Sequence, residues 1–338
     1  MNKVYIILVN YNNFIDTIEC LESILKSSYL NFQIFVIDNS PNDVSINKLL
    51  GWIAGSDDIN INTNFNDLVF PLEQKPIDHI IVNENEFRTS GKLYENKITI
   101  IRAKNNGFAA ANNIALRYIL DNGGDSSLIW ILNNDTVIEK DTLYNLTAFY
   151  NNNANKNVII GSKLKYYFKP DTLQAVAGKY NTWLGKHAHV GDGEKDNGQY
   201  DNYKFTNCDY LVGASIFLPV LFIKETGLMC EDYFLYFEEL DWIKSGSRHG
   251  FDMALAPNAT VYHKEGSSII NTTAEEKNTS TAAYYSIVNR VRFIKKWYPY
   301  RLVTVMPGVF IALIKRLFKG KVSLVKKASI TICFFLLS

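Results

Sequence analysis

Along the first 160 positions, short apolar runs are each closed by a polar cluster. Lys3 to Val9 is the first run. It predicts a buried strand and ends at Asn10-Tyr11-Asn12-Asn13, which is turn chemistry. From Phe14 to Ser27 the spacing changes: Ile15, Ile18, Leu21, Ile24 and Leu25 recur as on one face of a helix. Gln33 to Ile37 predicts a second strand, closed by Asp38-Asn39-Ser40-Pro41. A helix over Val44 to Ile53, a strand over Ile98 to Arg102 and an Ala-rich helix over Phe108 to Leu120 follow. Leu128 to Leu132 is another apolar strand, ending at Asn133-Asn134-Asp135, and Leu143 to Tyr150 is helical. This alternation predicts an α/β fold, a Rossmann-like, mostly parallel sheet with helices on its faces.

Two stretches break the rhythm. Residues 54–97 are polar, rich in Asn and Asp, with apolar islands only at Leu68 to Leu72 and His79 to Val82; they read as an insertion. Residues 158–218 are strand-rich and enclose a polar, Gly-rich loop from Gly185 to Gly198. His187 and His189 in that loop read as non-ligands.

With 338 residues, 47% hydrophobic and 20% charged, the chain has the composition of a folded globular protein. Its four cysteines, Cys20, Cys208, Cys230 and Cys333, are far apart and lack C-x-x-C spacing, which argues against a structural zinc site or a disulfide framework. The first apolar run, Val4 to Val9, is too short for a signal peptide, so a reducing, cytoplasmic setting is expected.

Charge changes the picture more. The net charge of +1 hides a split: Lys277 to Ser338 holds twelve Lys or Arg and no Asp or Glu, leaving 23 basic residues against all 34 acidic ones in the rest. Within that tail, Thr279 to Trp297 reads as a helix. Leu302 to Ile314 is an apolar run broken by Pro307-Gly308; Lys315, Arg316, Lys319, Lys321, Lys326 and Lys327 follow, and Ala328 to Ser338 is apolar again. A bilayer-spanning helix needs ~20 apolar residues, so these shorter runs predict attachment to a membrane surface, with the basic residues facing anionic lipid. A nucleic-acid-binding stripe would not need the two apolar runs, so no nucleic-acid partner is expected. The expected division is a domain over 1–268 and a helical, membrane-associating tail over 269–338.

The chemistry gathers where strands end. Asn10-Tyr11-Asn12, Asp38-Asn39-Ser40, Asn105-Asn106-Gly107 and Asn133-Asn134-Asp135 sit at or just beyond the ends of apolar strands. In open α/β sheets ligands bind outside those carboxyl ends. No G-x-G-x-x-G follows the first strand and no G-x-x-x-x-G-K-[ST] occurs, which weakens redox-dinucleotide and P-loop readings.

In these clusters the sequence resembles the family 2 glycosyltransferases of GT-A fold. Val9-Asn10-Tyr11-Asn12 is similar to that family's opening V-[TN]-Y-N, and Val36-Ile37-Asp38-Asn39-Ser40 to its V-[VI]-D-[ND]-[SG]. Asn105 to Asn113, N-N-G-F-A-A-A-N-N, resembles the N-x-G-F-A-x-[AG]-N of the rhamnosyltransferase-like branch. Leu132-Asn133-Asn134-Asp135 looks like an L-N-x-D version of the metal-binding D-x-D. Val212-Gly213-Ala214 and Tyr236 to Asp241 resemble later blocks. Two positions depart from the pattern: Asn133 replaces the first acid of D-x-D, and Glu239 replaces the usual Asp of the E-D pair.

The resemblance implies an inverting transfer of a sugar from a nucleotide-sugar donor, dTDP-rhamnose or a UDP-hexose, to a saccharide acceptor. That acceptor would be lipid-linked, in assembly of a cell-surface polysaccharide such as O-antigen or capsule, with the enzyme peripheral on the cytoplasmic face of the membrane. It implies a donor site containing Asn10, Tyr11, Asn12, Asp38, Asn39, Asn106, Gly107, Asn112, Asn133 and Asn134. A divalent metal, Mn²⁺ or Mg²⁺, would rest on Asp135 and His263. Such a mixed oxygen and imidazole set suits those ions, and the metal would neutralise the departing diphosphate. Glu239 would be the general base, with Glu238 and Asp241 beside it as acceptor-binding or supporting groups. Clustered carboxylates raise one another's pKa, which tunes a base towards neutrality. Two other readings stay open: a nucleotidyltransferase on a related sheet, and a non-catalytic sugar-binding or scaffold protein.

Overall fold

A computed structural model describes residues 1–207, 209–264 and 275–337, with side chains of the last segment described from residue 281. The alternating first half folds as its pattern predicts. β1 (Val4–Asn10), β2 (Phe32–Asp38), β4 (Ile98–Arg102) and β5 (Leu128–Leu132) are parallel, with α1 (Phe14–Leu25), α2 (Val44–Ala54) and α5 (Phe108–Asn122) between them. Every residue of β2 and β5 is buried, as expected of strands covered on both faces.

One large sheet carries the molecule. Its order begins at β3 (His79–Asn83) and runs β3-β4-β2-β1-β5. It continues through β12 (Ser215–Pro219), β7 (Val158–Tyr166) and β13 (Asp252–His263) to the short β6 (Thr136–Ile138). The first five strands are parallel; β12 is antiparallel to both β5 and β7, and β6 is antiparallel to β13. A second, three-stranded sheet is formed by β9 (Ala177–Asn181), β10 (Lys186–Val190) and β11 (Asp209–Tyr210). Chain order reverses between β1 and β5, which creates the crevice where such sheets bind ligands.

The segment 54–97 is more than an insertion. Its last part forms β3, the edge strand of the main sheet, and α4 (Glu84–Thr89). Phe87 and Tyr94 from this segment join Phe35 and Tyr118 in a buried aromatic cluster, with ring centroids 4.9–5.8 Å apart. An edge strand is only partly buried, and β3 is five residues long with Ile81 39% exposed, so its apolar signal is weak.

The tail is helical: α9 (Glu275–Trp297), α10 (Leu302–Phe318) and α11 (Val322–Leu337). Pro307 does not divide α10. The carbonyl it leaves without an amide partner is that of Val303, an 81% exposed position where water can replace the bond. α9 belongs to the core: Ile287, Val288, Val291, Phe293 and Ile294 are buried in one cluster with Ile7 and Phe35. α10 and α11 pack on α9 through Val305, Val309, Leu313, Leu324, Ala328 and Ile332, which are also buried.

Candidate active site

The site begins with Asn10, the last residue of β1, wholly buried. Its Nδ2 donates to Asp38 Oδ2 at 2.6 Å and to Ser45 Oγ at 2.7 Å, and its Oδ1 accepts from Thr17 Oγ1 at 2.8 Å. Asn134 Nδ2 donates in turn to Thr17 Oγ1 at 2.8 Å. A buried hydrogen-bonded chain, Asn134–Thr17–Asn10–Asp38, thus ties the ends of β5, β1 and β2 through α1. Burial raises the Asp38 carboxyl, and the Ser40 amide and the Asn10 side chain oppose that effect.

Asp38 opens onto a cleft of about 1040 Å³ shared with Tyr11, Asn39, Asn105 and Arg102. Asn39 is buried, yet its Oδ1 has no hydrogen-bond partner. A buried acceptor left over in this way needs a donor that the folded chain does not supply. Asn12 holds a left-handed conformation, φ +60°, and its amide donates to Ser40 Oγ. The α4 wall of the cleft, with Glu84 and Arg88, comes from the 54–97 segment, to which sequence reasoning had assigned no role.

The Asn105–Gly107 cluster lies on the rim. Asn106 is exposed, whereas Gly107 is buried with φ +100° at the start of α5. A Cβ at Gly107 would stand 2.5 Å from the Phe234 carbonyl oxygen, which accepts from the Phe108 amide at 3.0 Å. Asn112 is buried on α5; its Nδ2 donates to Phe108 O, and its Oδ1 lacks a partner. Asn113 bridges to Met229 and Glu231, fixing the segment that leads to the carboxylates.

The metal candidates meet at the far side of β5. Asp135 Oδ1 is 3.2 Å from His263 Nε2, and Asn133 Nδ2 is 3.3 Å from the same nitrogen. They meet because β13 runs antiparallel to β6, pairing His263 with Thr136. Asp135 therefore directly precedes the strand β6. Gln174 Oε1 lies 2.8 Å from His263 Nδ1, which assigns the proton of a neutral ring to Nδ1. Nε2 then lies on the side of the Asp135 carboxylate. This donor set fits a hard divalent ion completed by diphosphate oxygens and water. Among the described residues no group of three or more His, Cys, Asp or Glu could hold a metal.

The carboxylate cluster opens α8 (Glu238–Arg248). Glu239 is half-buried and lies beside Gly213, where an added Cβ would be 3.4 Å from its Cγ. The next residue, Ala214, accepts from the Asn133 amide at 3.0 Å through its carbonyl, so Gly213-Ala214 joins the Glu239 side of the site to the Asp135 side. Burial raises Glu239. Glu238 is raised well above its ordinary value, first by burial and then by the Glu239 charge, and its Oε2 has no partner. Asp241 stands apart from this pair. It accepts from Trp297 Nε1 at 2.6 Å and Lys296 Nζ at 2.7 Å, and anchors α9.

Several groups went unnoticed in the sequence: Thr17 and Ser45, which hold Asn10; Gln174, which orients His263; and Lys264. Burial pulls Lys264 down, but contacts with Asp16 and Glu19 push its pKa up to about 12, so it stays charged against those two carboxylates. None of these carries a motif.

No protein-family model matches the sequence, and comparison with curated proteins gives no match. Solved structures do match. GalNAc-T7 with UDP, GalNAc and Mn²⁺ is 13% identical, with TM-score 0.57, over 89% of this chain and 49% of that one. S. aureus TarS residues 1–349 in complex with UDP is 13% identical, with TM-score 0.44, over 86% of this chain and 65% of that one. A mannosyltransferase from Pyrobaculum calidifontis in complex with GDP-Man and Mn²⁺ is 11% identical, with TM-score 0.48, over 99% and 85%. The chain thus spans less than two thirds of the TarS and GalNAc-T7 chains. Together the sheet order and the GalNAc-T7 match define a GT-A glycosyltransferase fold.

Proposed function

We propose that this protein is an inverting, metal-dependent glycosyltransferase. The observation that carries the reading is the placement of the Asp135–His263 pair and the raised Glu238–Glu239 pair on either side of Gly213-Ala214. In this reading Asp38 and Asn39 bind the nucleotide in the large cleft, and Asn133, Asp135 and His263 face its diphosphate. A cation held by Asp135 and His263 would neutralise charge on the leaving nucleoside diphosphate. Glu239 takes the proton of the acceptor hydroxyl as its oxygen bonds the sugar's anomeric carbon and the bond to the diphosphate breaks. A single displacement of this kind inverts the anomeric centre.

The donor is a dTDP-rhamnose or UDP-hexose type of nucleotide sugar, and the acceptor a lipid-linked saccharide of a surface polysaccharide such as O-antigen or capsule. Surface attachment on the cytoplasmic face is supported by α10 and α11. They expose Val303, Phe310, Ile314, Phe318, Phe334 and Leu337 next to the basic residues between positions 315 and 327. Among the described residues no helix is long and apolar enough to cross a membrane.

The test is hydrolysis and transfer across a panel of nucleotide sugars, with Mn²⁺, with Mg²⁺ and with chelator. Metal-dependent release of a nucleoside diphosphate from at least one donor is expected. Binding of sugars without turnover of any donor would refute the enzyme reading.

A further inference from the structure

Glu238 and Glu239 are delivered by a strained turn. Tyr236 and Phe237 both occupy the left-handed region, with φ of +67° and +76°. Two consecutive residues bearing large side chains do not hold that conformation unaided; surrounding contacts must impose it. From Met229 to Phe237 the chain forms no helix or strand, so its shape is set by partners. On the α5 side those are Asn113, Arg117 and the Phe108 amide.

On the other side the partners are on α9: Arg292 pairs with Asp232, and Asn289 holds the turn itself. Asn289 is 1% exposed, and its single Nδ2 donates to both Leu235 O, at 2.9 Å, and Tyr236 O, at 3.1 Å. Only a side chain with two N–H bonds on one atom can serve both carbonyls from that point. Aromatic contacts brace the same turn: Phe234 stacks on Tyr285 of α9 at 4.9 Å, and Phe237 packs against Phe293 of α9 at 5.7 Å. Beyond the carboxylates, α9 also holds Asp241 through Lys296 and Trp297. Both flanks of the Glu238–Glu239 pair are therefore gripped by one helix.

We infer that Asn289 is a positioning residue: it clamps the left-handed turn at 235–237 and so aims Glu239 from the start of α8. The inference rests on the proposed role of Glu239 as base, but the clamp can be read without it.

Asn289→Leu keeps a similar volume and removes both donors. The expected result is a fall in kcat of at least tenfold with donor affinity within twofold of wild type. The acid limb of the kcat–pH profile should move to lower pH as the loosened carboxylates gain water. Adding Tyr236→Gly should recover at least a third of the loss on a logarithmic scale, because glycine takes φ +67° without a clamp. A folded Asn289→Leu protein with kcat and pH profile within twofold of wild type would overturn the proposal. Hydrogen exchange on Asn289→Ser covers the case in which the leucine variant folds poorly. Amides 235–241 should exchange at least tenfold faster while β1 and β5 keep their protection; unchanged exchange at 235–241 would also overturn it. If the wild-type enzyme turns over no nucleotide sugar, the functional reading fails, and the exchange data still decide the clamp.

Discussion

His263 Nε2 faces Asp135 Oδ1 at 3.2 Å, and the opposite ring nitrogen is fixed by Gln174 at 2.8 Å. The three side chains come from β13, the turn after β5, and β8 (Lys169–Ala175). Asp135 supplies the only carboxylate of the Asn133-Asn134-Asp135 turn. Asp135→Asn should therefore abolish most metal-dependent turnover, since a neutral amide binds a hard cation poorly. His263→Ala should do less harm, by removing one ligand from a shell otherwise filled by donor oxygens and water. Turnover as a function of Mn²⁺ concentration checks both; wild-type metal dependence in Asp135→Asn would rule that residue out as the anchor.

Gln174→Leu should act on the metal alone. Losing the partner that orients a ligating histidine typically costs about 10–100-fold in metal affinity. The Mn²⁺ activation curve should shift by that factor, with kcat recovered at saturating metal. A fall in kcat that no metal concentration repairs would assign Gln174 another role.

Glu239→Gln preserves shape but cannot accept a proton. Turnover should drop ~10²–10⁴-fold, the usual contribution of a general base, with donor affinity by calorimetry nearly unchanged. A comparable loss of affinity would move Glu239 into the donor site.

The raised carboxyls give a pH dependence with a definite sign. A base with a raised pKa loses activity as pH falls through that value, so the acid limb of kcat should lie above the ordinary range for glutamate. Glu238 is raised further, by burial and then by the Glu239 charge, so it is still protonated where Glu239 titrates, and Glu238→Gln should leave that limb nearly in place. The same substitution has a second consequence. With its folded pKa raised, Glu238 ionises at a cost to the folded state, so the wild-type protein gains stability as pH falls towards the unfolded value. Glu238→Gln should raise Tm at pH 8 and change it little at pH 4.5. Thermal melts at the two pH values test this directly.

Gly107→Ala should destabilise the protein. Its φ of +100° alone costs about 1–3 kcal/mol for a residue with a Cβ, and the added carbon would meet the Phe234 carbonyl at 2.5 Å. Urea denaturation should show at least that loss. Activity should fall further, because the displaced segment leads to Glu238 and Glu239.

Two truncations separate scaffold from surface. Deleting residues 299–338 removes α10 and α11 with seven basic residues. The remaining protein should fold with a lowered Tm, bind nucleotide, and lose at least tenfold in affinity for anionic vesicles, each basic residue near such a surface contributing about 1 kcal/mol. Vesicle binding by the intact chain should weaken in salt but persist, because the exposed apolar side chains are not screened. Deleting from residue 281 takes away Asn289, Lys296 and Trp297 as well, and should leave no active protein. Cosedimentation with anionic and with neutral vesicles is the measurement; equal binding to both would discount the basic residues.

Most of the main sheet was legible from periodicity, because strands buried on both faces are written as unbroken apolar runs and their ends as turn residues. The polar clusters at those ends were legible for the same reason, and the structure joins three of them in the Asn134–Thr17–Asn10–Asp38 chain. β3 was not, since an edge strand presents only part of its surface to the core. Asp241 was grouped with Glu238 and Glu239 by adjacency, yet it is held by Lys296 and Trp297 of α9 and by the Tyr233 hydroxyl. The tail's charge and apolar runs were plain, but not that α9 would be buried in the same core as β1.

By itself, then, the sequence determined the elements that depend on neighbours in the chain: strands, helices, the turns between them, and the types of side chain those turns carry. The tertiary structure alone decided which distant groups meet. That His263 reaches Asp135 follows from the pairing of β13 with β6; that Gln174 orients it and Asn289 holds the Glu239 turn follows from packing between segments far apart in sequence. Local propensity acts over a few residues, whereas these contacts are set by strand register and helix packing, which no short stretch of sequence encodes.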